Sequence, residues 1–374
     1  MSAVTPHIAS VNEDEAREPL LPTSASTPPP SGRWASARRL AVDVWLQGKG
    51  MILVLASQFF GSSMNVMTQI LELTGNNGQG YNPFQILFAR MSITMVASYL
   101  YMWYAGVPHP FGTRPVLGPL VLRAAGGFLG VYGLYYSVQY LALSEATVLT
   151  FLAPILSCYA CSFVMPQEAF TRRQQLAAVV SLAGVVLIAR PFAPLREGDD
   201  DNDNPRVDDE RQHLLAIGMG LVGVVGASCA YTTIRVIGQR AHPLVSVTYF
   251  STFTTMASLG AMLVLPSVDV QLPALPGEWA LLVGLGVCGF LLQFLLTAGL
   301  AYVPPPPRVG DEEEDEGEDK PRSSGTRATS MLYTQMVFAL MYDWAIWGTT
   351  LSVMSGIGSG LIVGSAMYVA MARG

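Results

Sequence analysis

Long apolar stretches separated by short polar breaks occupy the chain from about residue 50 to its end. A helix that crosses a bilayer needs about 20 mostly apolar residues, and ten stretches reach that length. No alternating pattern typical of membrane β-strands occurs, so we predict an all-α integral membrane protein. The ten predicted transmembrane helices span residues 51–73, 84–106, 116–142, 145–165, 172–191, 213–236, 243–265, 279–303, 328–348 and 350–371.

Charge is scarce and unevenly placed, which supports this prediction. Charged residues make up 13% of the 374 residues, whereas a soluble domain usually has about a quarter. The acidic residues are concentrated in the N-terminal tail and in the runs EGDDDNDNPRVDDE (197–210) and GDEEEDEGEDK (310–320). The net charge of −6 therefore belongs to segments between apolar helices and gives no indication of nucleic-acid binding.

Basic residues predict the orientation of the chain. Residues 1–40 are rich in Pro, Ser and Thr and contain no apolar run of the signal-peptide kind, so we expect a disordered tail over residues 1–45. Short loops with and without basic residues alternate along the chain, and the positive-inside rule places both termini in the cytoplasm. The residues that decide this are Arg33, Arg38, Arg39, Lys49, Arg114, Arg172, Arg173, Arg235 and Arg240.

The ten predicted spans divide into two sets of five around an acidic linker at residues 192–212. Spans four and nine both start with an Ala-Thr pair, and each is followed by a short polar break and a glycine-bearing aliphatic span. An odd number of spans in each half places the halves in opposite orientation. We therefore predict two inverted five-helix repeats, at 50–191 and 213–372, the second interrupted by an acidic loop at 304–327.

Three stretches of the first half resemble one transporter family. They are NPFQILFARMSITMV in span two, LRAAGGFLGVYGLYYSVQYLALSEATV in span three, and LAPILS…QEAFTRRQ…AGVVLI in spans four and five. They are similar to the EamA-type half of the drug/metabolite transporter superfamily, and look closest to fungal members related to the solute carrier 35 group. The resemblance weakens in the second half, where Thr349 or Thr350 stands in place of the motif glutamate.

This resemblance implies a secondary transporter that moves a small organic solute or metabolite by alternating access. It also implies that spans one, three, four, six, eight and nine surround a central cavity. Two alternatives remain at this point. One is a membrane scaffold or regulator that kept the transporter fold, and the other is an integral-membrane enzyme.

The motif region itself contains four residues of interest. Pro154 removes a backbone donor and is expected to kink span four, either as a pivot for alternating access or as a structural bend. Thr171 and Gln174 have the spacing of a capping box that opens span five. Glu168 lies just before this helix start, where the helix dipole favours a carboxylate. Helix capping accounts for the stretch, and a substrate contact by Glu168 is the alternative.

Polar and aromatic residues within the spans are candidates for lining a substrate cavity. Span three carries an aromatic face beside several glycines, and spans one and eight add polar pairs at helical spacing. Hydrogen bonding between helices is the alternative role for each amide. The cavity candidates are Gln58, Asn65, Phe128, Tyr132, Tyr135, Gln139, Gln293 and Thr297.

Ionisable residues inside a span are functional candidates by default. Arg90 lies about two turns into span two, and Asp343 lies at a similar predicted depth in span nine, so an ion pair between them is our first hypothesis. If they do not pair, Arg90 is expected to face the cavity as an anion site, or to snorkel outward. Arg123 opens span three near the inner surface and is interpreted as a snorkelling residue.

Motifs of other protein classes are absent or lie in the wrong context. The G-x-G-x-x-G matches at 218–223 and 284–289 fall inside apolar spans and indicate close helix packing, not dinucleotide binding. The sequence contains no Walker motif and no H-E-x-x-H motif, and Cys158-x-x-Cys161 has no second pair. We therefore expect no enzymatic activity, no cofactor and no metal. Span ten carries a candidate homodimer face formed by Gly356, Gly360 and Gly364.

Overall fold

The structure, a computed structural model, describes residues 33–78, 80–141, 148–165, 170–189, 207–264, 272–273, 275–303, 324–348 and 353–371. These residues form helices joined by turns, and no strand occurs among them. In a bilayer a helix satisfies its own backbone hydrogen bonds, which is why long apolar runs adopt this form.

The helices follow the predicted apolar segments closely. They are α1 (Arg33–Gly78), α2 (Pro83–Tyr104), α3 (Arg114–Tyr140), α4 (Leu152–Val164), α5 (Arg172–Ala189), α6 (Val207–Ile237), α7 (Pro243–Val264), α8 (Pro276–Leu300), α9 (Ser324–Ser330), α10 (Thr334–Trp347) and α11 (Val353–Met371). A short 3₁₀ segment, Gly238–Arg240, follows α6, and another, Met331–Tyr333, joins α9 to α10.

Six of the described helices, α1, α2, α3, α6, α7 and α8, are long and apolar enough to cross a membrane. Shorter apolar helical segments lie at Val148–Val164 and Val353–Val369. The protein is therefore an all-helical, integral, multi-pass membrane protein.

Two predicted boundaries differ from the structure. Helix α1 starts at Arg33, so the last part of the predicted disordered tail is helical, because it contains several Ala and Arg residues, which are strong helix formers. Helix α6 starts at Val207, inside the predicted acidic linker. The chain divides into two compact units, Met1–Val44 and Trp45–Gly374, and all contacts described below belong to the second.

The predicted spans four and nine are both interrupted. Residues 148–150 are helical, Phe151 forms a turn, and α4 then starts at Leu152. Pro154 lies in the first turn of α4, three residues after the turn at Phe151. Proline has no N–H to continue the hydrogen bonds of the preceding helical turn, which accounts for the break at this point. Span nine is interrupted by the 3₁₀ segment Met331–Tyr333. The rings of Phe151 and Tyr333 stack with their centroids 5.8 Å apart.

Glycines bring the helix backbones into direct contact. Gly126, Gly130 and Gly133 of α3 face Gly223 and Gly226 of α6. A Cβ atom at Gly133 would lie 2.6 Å from the carbonyl oxygen of Met219 and from the Cα atom of Gly223. Lipid gives helices no hydrophobic reason to associate, so small residues that permit close packing hold them together.

The same kind of contact joins two other helix pairs. Gly50 of α1 faces Gly299 of α8, and Gly184 of α5 faces Gly358 of α11. The hydroxyls of Ser181 and Ser365 also share a hydrogen bond of 2.6 Å between α5 and α11. Within the two G-x-G-x-x-G matches, Gly223, Gly286 and Gly289 all contact neighbouring helices, as the packing interpretation predicted.

We predict opposite effects for alanine at two helical glycines, Gly133 of α3 and Gly218 of α6. Gly133→Ala should lower the free energy of unfolding by about 1–3 kcal/mol, because the new methyl group overlaps the α6 backbone. Gly218→Ala should raise it by about 0.5–1 kcal/mol, since no atom lies within 4 Å of the added Cβ and alanine favours a helix. Unfolding in mixed micelles measures both values, and equal effects would contradict the packing described here.

Candidate functional site

Arg123 of α3 is buried in the helix bundle, with only 3% of its surface exposed. Its Nη2 donates a 2.9 Å hydrogen bond to Oε1 of Gln293 on α8. The guanidinium carbon lies 4.2 Å from the centroid of the Phe250 ring on α7, a cation–π contact. The snorkelling interpretation is therefore wrong, because Arg123 lies about 13 Å along the axis from the start of α3 and points toward α7 and α8.

Arg90 of α2 lies against the neighbouring face of α8. A Cβ atom at Gly289 would be 3.2 Å from Cγ and 3.4 Å from Nε of Arg90, so the absence of a side chain at Gly289 makes room for the arginine. Arg90 lies deep in the bundle, yet part of its side chain remains accessible. Tyr135 of α3 lies near it, packed among Leu87, Met91 and Phe250.

The two arginines share one region of the protein interior. Arg90 contacts α8 at Gly289, and Arg123 contacts it at Gln293. These two positions are four residues apart, so the arginines meet the same face of α8 about one helical turn from each other. Phe250 joins them, because it packs with the α2 residues on either side of Arg90 and lies beneath the Arg123 guanidinium. We name Arg90, Arg123, Tyr135, Phe250 and Gln293 the two-arginine site.

The hypothesis that Arg90 pairs with Asp343 is wrong in this structure, which forms no ion pair between these two described residues. Arg90 faces α8 and α3, whereas Asp343 lies on α10. The adjacent Tyr342 shares a 2.6 Å hydrogen bond with Ser63 of α1, which places this part of α10 against α1. Similar depth in the membrane did not bring the two charges to the same side of their helices.

Two of the predicted cavity residues, Tyr135 and Gln293, belong to the two-arginine site. Gln58 of α1 is buried and donates a 2.8 Å hydrogen bond to the Ser57 hydroxyl, whereas Asn65 is exposed. Thr297 of α8 is buried, and its hydroxyl has no hydrogen-bond partner in the described part of the chain. The backbone of Gln139 belongs to α3, but its side chain lies outside what the structure describes.

The aromatic face predicted in span three contacts α7. Phe128 stacks with Tyr132 at a centroid distance of 6.0 Å and meets Phe253 of α7 edge-on at 5.6 Å. Tyr135, one turn further along α3, instead packs near Leu87, Met91 and Phe250. Of the three aromatic residues, Tyr135 is thus the one that reaches the arginines.

The predicted capping box at the start of α5 is confirmed. The Thr171 backbone N–H donates to Oε1 of Gln174 at 3.2 Å, and the Gln174 N–H donates to the Thr171 hydroxyl at 3.4 Å. Gln174 and Pro154 line one small cavity together with Thr329 and Tyr333, so the motif of the first half meets the interruption of the second. The cavity volume of about 10 Å³ leaves room for one water at most. Glu168 lies outside the described residues.

A larger cavity lies at the ends of the helices, between the α2–α3 turn, the α6–α7 turn and the end of α8. Its volume is about 440 Å³, and its polar lining includes His109, Thr113, Arg240 and His242. Burial lowers the pKa of His242, so this imidazole is neutral at pH 7. The cavity is large enough for a small organic molecule.

A buried hydrogen bond joins the start of α2 to the start of α8, at the ends of these helices away from the larger cavity. The Tyr81 hydroxyl donates a 2.8 Å hydrogen bond to Oε2 of Glu278, which is itself buried. Burial and the Glu278 carboxylate raise the pKa of Tyr81 to about 12, so the tyrosine remains a neutral donor at physiological pH. This bond links the segment before α2 to the first turn of α8.

The long apolar helices around a buried polar interior are those of a helical membrane protein, and comparisons with known proteins give its family. Residues 48–190 match the model of the EamA-like transporter family. Two Saccharomyces cerevisiae proteins are each 35% identical to this chain. They are the uncharacterized membrane protein YMR253C (91% of this chain, 80% of its own) and the probable transport protein YPL264C (89% and 91%). The chain belongs to the EamA-like transporter family.

Two more distant comparisons agree with this assignment. Human solute carrier family 35 member G1 is 26% identical over 181 residues, which cover 48% of this chain and 44% of its own. One crystal structure of a protein shares 16% identity and superposes with a TM-score of 0.65 over 86% of this chain and 98% of the other. At this identity the superposition shows a common fold alone. The predicted family resemblance, including its fungal and solute carrier 35 relatives, is confirmed.

We predict that Gln293→Leu destabilises the protein by about 1–3 kcal/mol, because Nη2 of Arg123 loses its acceptor in a buried position. Combining it with Arg123→Met should cost less than the sum of the single changes, with a coupling of about 0.5–3 kcal/mol. The cycle of Arg90→Gln with Asp343→Asn is the control and should be additive. Additivity in both cycles would mean that the Arg123–Gln293 bond contributes nothing to stability.

Proposed function

We propose that this protein is a secondary transporter that moves a small organic solute or metabolite by alternating access between two inverted five-helix repeats. The observation that carries the proposal is the pattern of helix contacts. If α1–α5 of the first half correspond to α6, α7, α8, α10 and α11 of the second, each principal contact has a counterpart. Exchanging the two halves turns the contact between α3 and α6 into the contact between α8 and α1. It also turns the contact between α2 and α8 into the contact between α7 and α3. The contacts α2–α7 and α5–α11 are unchanged by this exchange, because each joins a helix to its own counterpart in the other half.

One further contact agrees with the same exchange of halves. The pair α4–α6 corresponds to α10–α1, where the Ser62 hydroxyl donates to the backbone oxygen of Gln335 and Phe59 meets Phe338. A fold made of two inverted repeats produces this pattern, because its pseudo-two-fold axis turns each contact into a second one.

The two interrupted helices support alternating access. Aligning the Ala-Thr pairs that start spans four and nine places Phe151 opposite Tyr333, and these are the residues whose rings stack at the two interruptions. Substrate and ion sites of inverted-repeat transporters are typically built near discontinuous helices. In this proposal, the interruptions in spans four and nine are the pivots, and Pro154 starts the helix that follows the first one.

Polar groups without protein partners also favour a transport path over a purely structural interior. Helix α7 buries the hydroxyls of Ser246, Thr254, Thr255 and Ser258, and none of them has a hydrogen-bond partner in the described part of the chain. Buried polar groups normally have partners, so these hydroxyls are the groups that water or a solute would satisfy when the helices around α7 separate. Family membership and the names of the relatives point to transport rather than catalysis.

In the proposed orientation both termini are cytoplasmic, and the cavity of about 440 Å³ opens on the cytoplasmic side. Large apolar side chains such as Trp103 and Leu263, exposed by 83% and 79%, face the bilayer. Gly356, Gly360 and Gly364 lie on the open face of α11, with no atom within 4 Å of an added Cβ, and the homodimer through this face stays a prediction.

The inverted arrangement predicts where two loops lie. An epitope tag placed within residues 199–205 should be protected on the far side of the membrane, and a tag within 311–319 should be accessible from the cytoplasm. Antibody labelling of selectively permeabilised cells distinguishes the two sides. Two tags on the same side would contradict the five-plus-five plan.

Transport itself is testable without knowing the solute. Proteoliposomes incubated in a defined metabolite mixture should accumulate at least one solute above protein-free liposomes, as measured by mass spectrometry of the lumen. Tyr132→Ala and Gln139→Ala should reduce this uptake at least severalfold at unchanged protein abundance. Tyr104→Ala, at an aromatic residue that is 87% exposed on α2, is the matched control and should transport normally. Absence of any uptake would favour a scaffold or regulator.

A further inference from the structure

We propose that the transported solute is an anion, and that its carboxylate or phosphate group binds between Arg90 and Arg123 in the two-arginine site. This inference rests on the proposed transport function and names the charge of its substrate. The separate contacts of the two arginines point to it.

The site carries two positive charges that the protein does not neutralise. Neither Arg90 nor Arg123 forms an ion pair with a carboxylate in the described part of the chain. The groups that hold Arg123, the Gln293 amide and the Phe250 ring, are uncharged and leave its full charge in place. Glu72 lies near Tyr135 but is exposed, and it makes no ion pair with Arg90.

The arginines also have unused donors. The Nε–H groups of both Arg90 and Arg123 are buried without a hydrogen-bond partner in the described part of the protein. A guanidinium presents its donors in a planar fork that matches the oxygens of a carboxylate or phosphate. Since arginine retains its proton in proteins, the charge cannot be removed by deprotonation and must be met by an anion or by water.

Tyrosine side chains complete the lining. Tyr135 lies near Arg90, since it packs among Leu87, Met91 and Phe250, and Tyr231 of α6 lies near Arg123. Arg90, Tyr135 and Tyr231 all lie deep in the bundle, yet each retains partial accessibility. Side chains that are far from the outer surface and still accessible border an internal space, which is where a solute would meet them.

A cation would be repelled at this position, and a neutral solute would leave both charges unmatched. The rigid placement of Arg123 by Gln293 and Phe250 means that little side-chain ordering accompanies binding there. Arg90 lies against Gly289 and is more exposed than Arg123.

Thermal unfolding of the purified full-length protein in detergent tests the proposal. The probes are inorganic phosphate, succinate and glucose 6-phosphate, compared with glucose and choline at constant ionic strength set by sodium chloride. At least one of the three anions should raise the unfolding temperature in a saturable manner, because a ligand that binds the folded state stabilises it. Glucose and choline should have no effect.

Variants assign the effect to the site. Arg90→Gln and Arg123→Gln should each weaken apparent anion affinity at least tenfold, and Arg90→Lys, which keeps the charge but loses the fork, should retain part of it. Arg114→Gln removes an exposed arginine from the start of the same helix as Arg123 and should bind as the unmodified protein does. If Arg123→Gln does not fold, the comparison of Arg90→Gln with Arg90→Lys still decides the question.

Three results would overturn the inference: no stabilisation by any of the three anions, stabilisation that survives in both Arg→Gln variants, or stabilisation by choline. Its failure is distinguishable from failure of the transport proposal. Saturable anion binding without uptake into proteoliposomes would refute transport and leave the anion site in place. Uptake of a neutral or cationic solute that does not depend on Arg90 would refute the anion site and leave transport in place.

Discussion

Helices in a bilayer cannot associate by burying apolar surface, because the lipid around them is equally apolar. This protein meets that constraint with backbone contacts at glycines, between α3 and α6, α1 and α8, and α5 and α11. Once the backbones touch, the remaining side chains have fixed positions. Gly289 shows the connection most directly, since the space that it leaves on α8 is occupied by the side chain of Arg90. The packing of the helices and the placement of Arg90 in the candidate site therefore both depend on glycine having no side chain.

Most of the helical architecture could be predicted from the sequence, because apolar runs of fixed length leave little choice of structure in a membrane. The capping box of Thr171 and Gln174 was equally predictable, since it depends on residues three apart. The interruption at Met331–Tyr333 was not predictable, because this stretch contains neither proline nor glycine. Its position reflects the packing of Tyr333 against Phe151, which is distant in sequence.

The candidate site was predictable only in part. The apolar surroundings of Arg90 identified it as a functional candidate, but the sequence gives the depth of a residue and not the direction in which it points around the helix axis. For that reason the pairing with Asp343 was wrong, and Arg123 was misread as a snorkelling residue. The bond from Arg123 to Gln293 joins residues 170 positions apart, and only the folding of the helices into one bundle brings them together.

The choice of arginine at both positions has a consequence for energy coupling. Many transporters couple to protons through carboxylates or histidines that titrate inside the membrane. Arginine does not exchange its proton under physiological conditions, so the two-arginine site has the same charge at every cellular pH. Any dependence of solute binding on pH would therefore report protonation of the solute, not of these residues. A site of this kind is suited to exchanging one anion for another, since its charge remains balanced only while some anion occupies it.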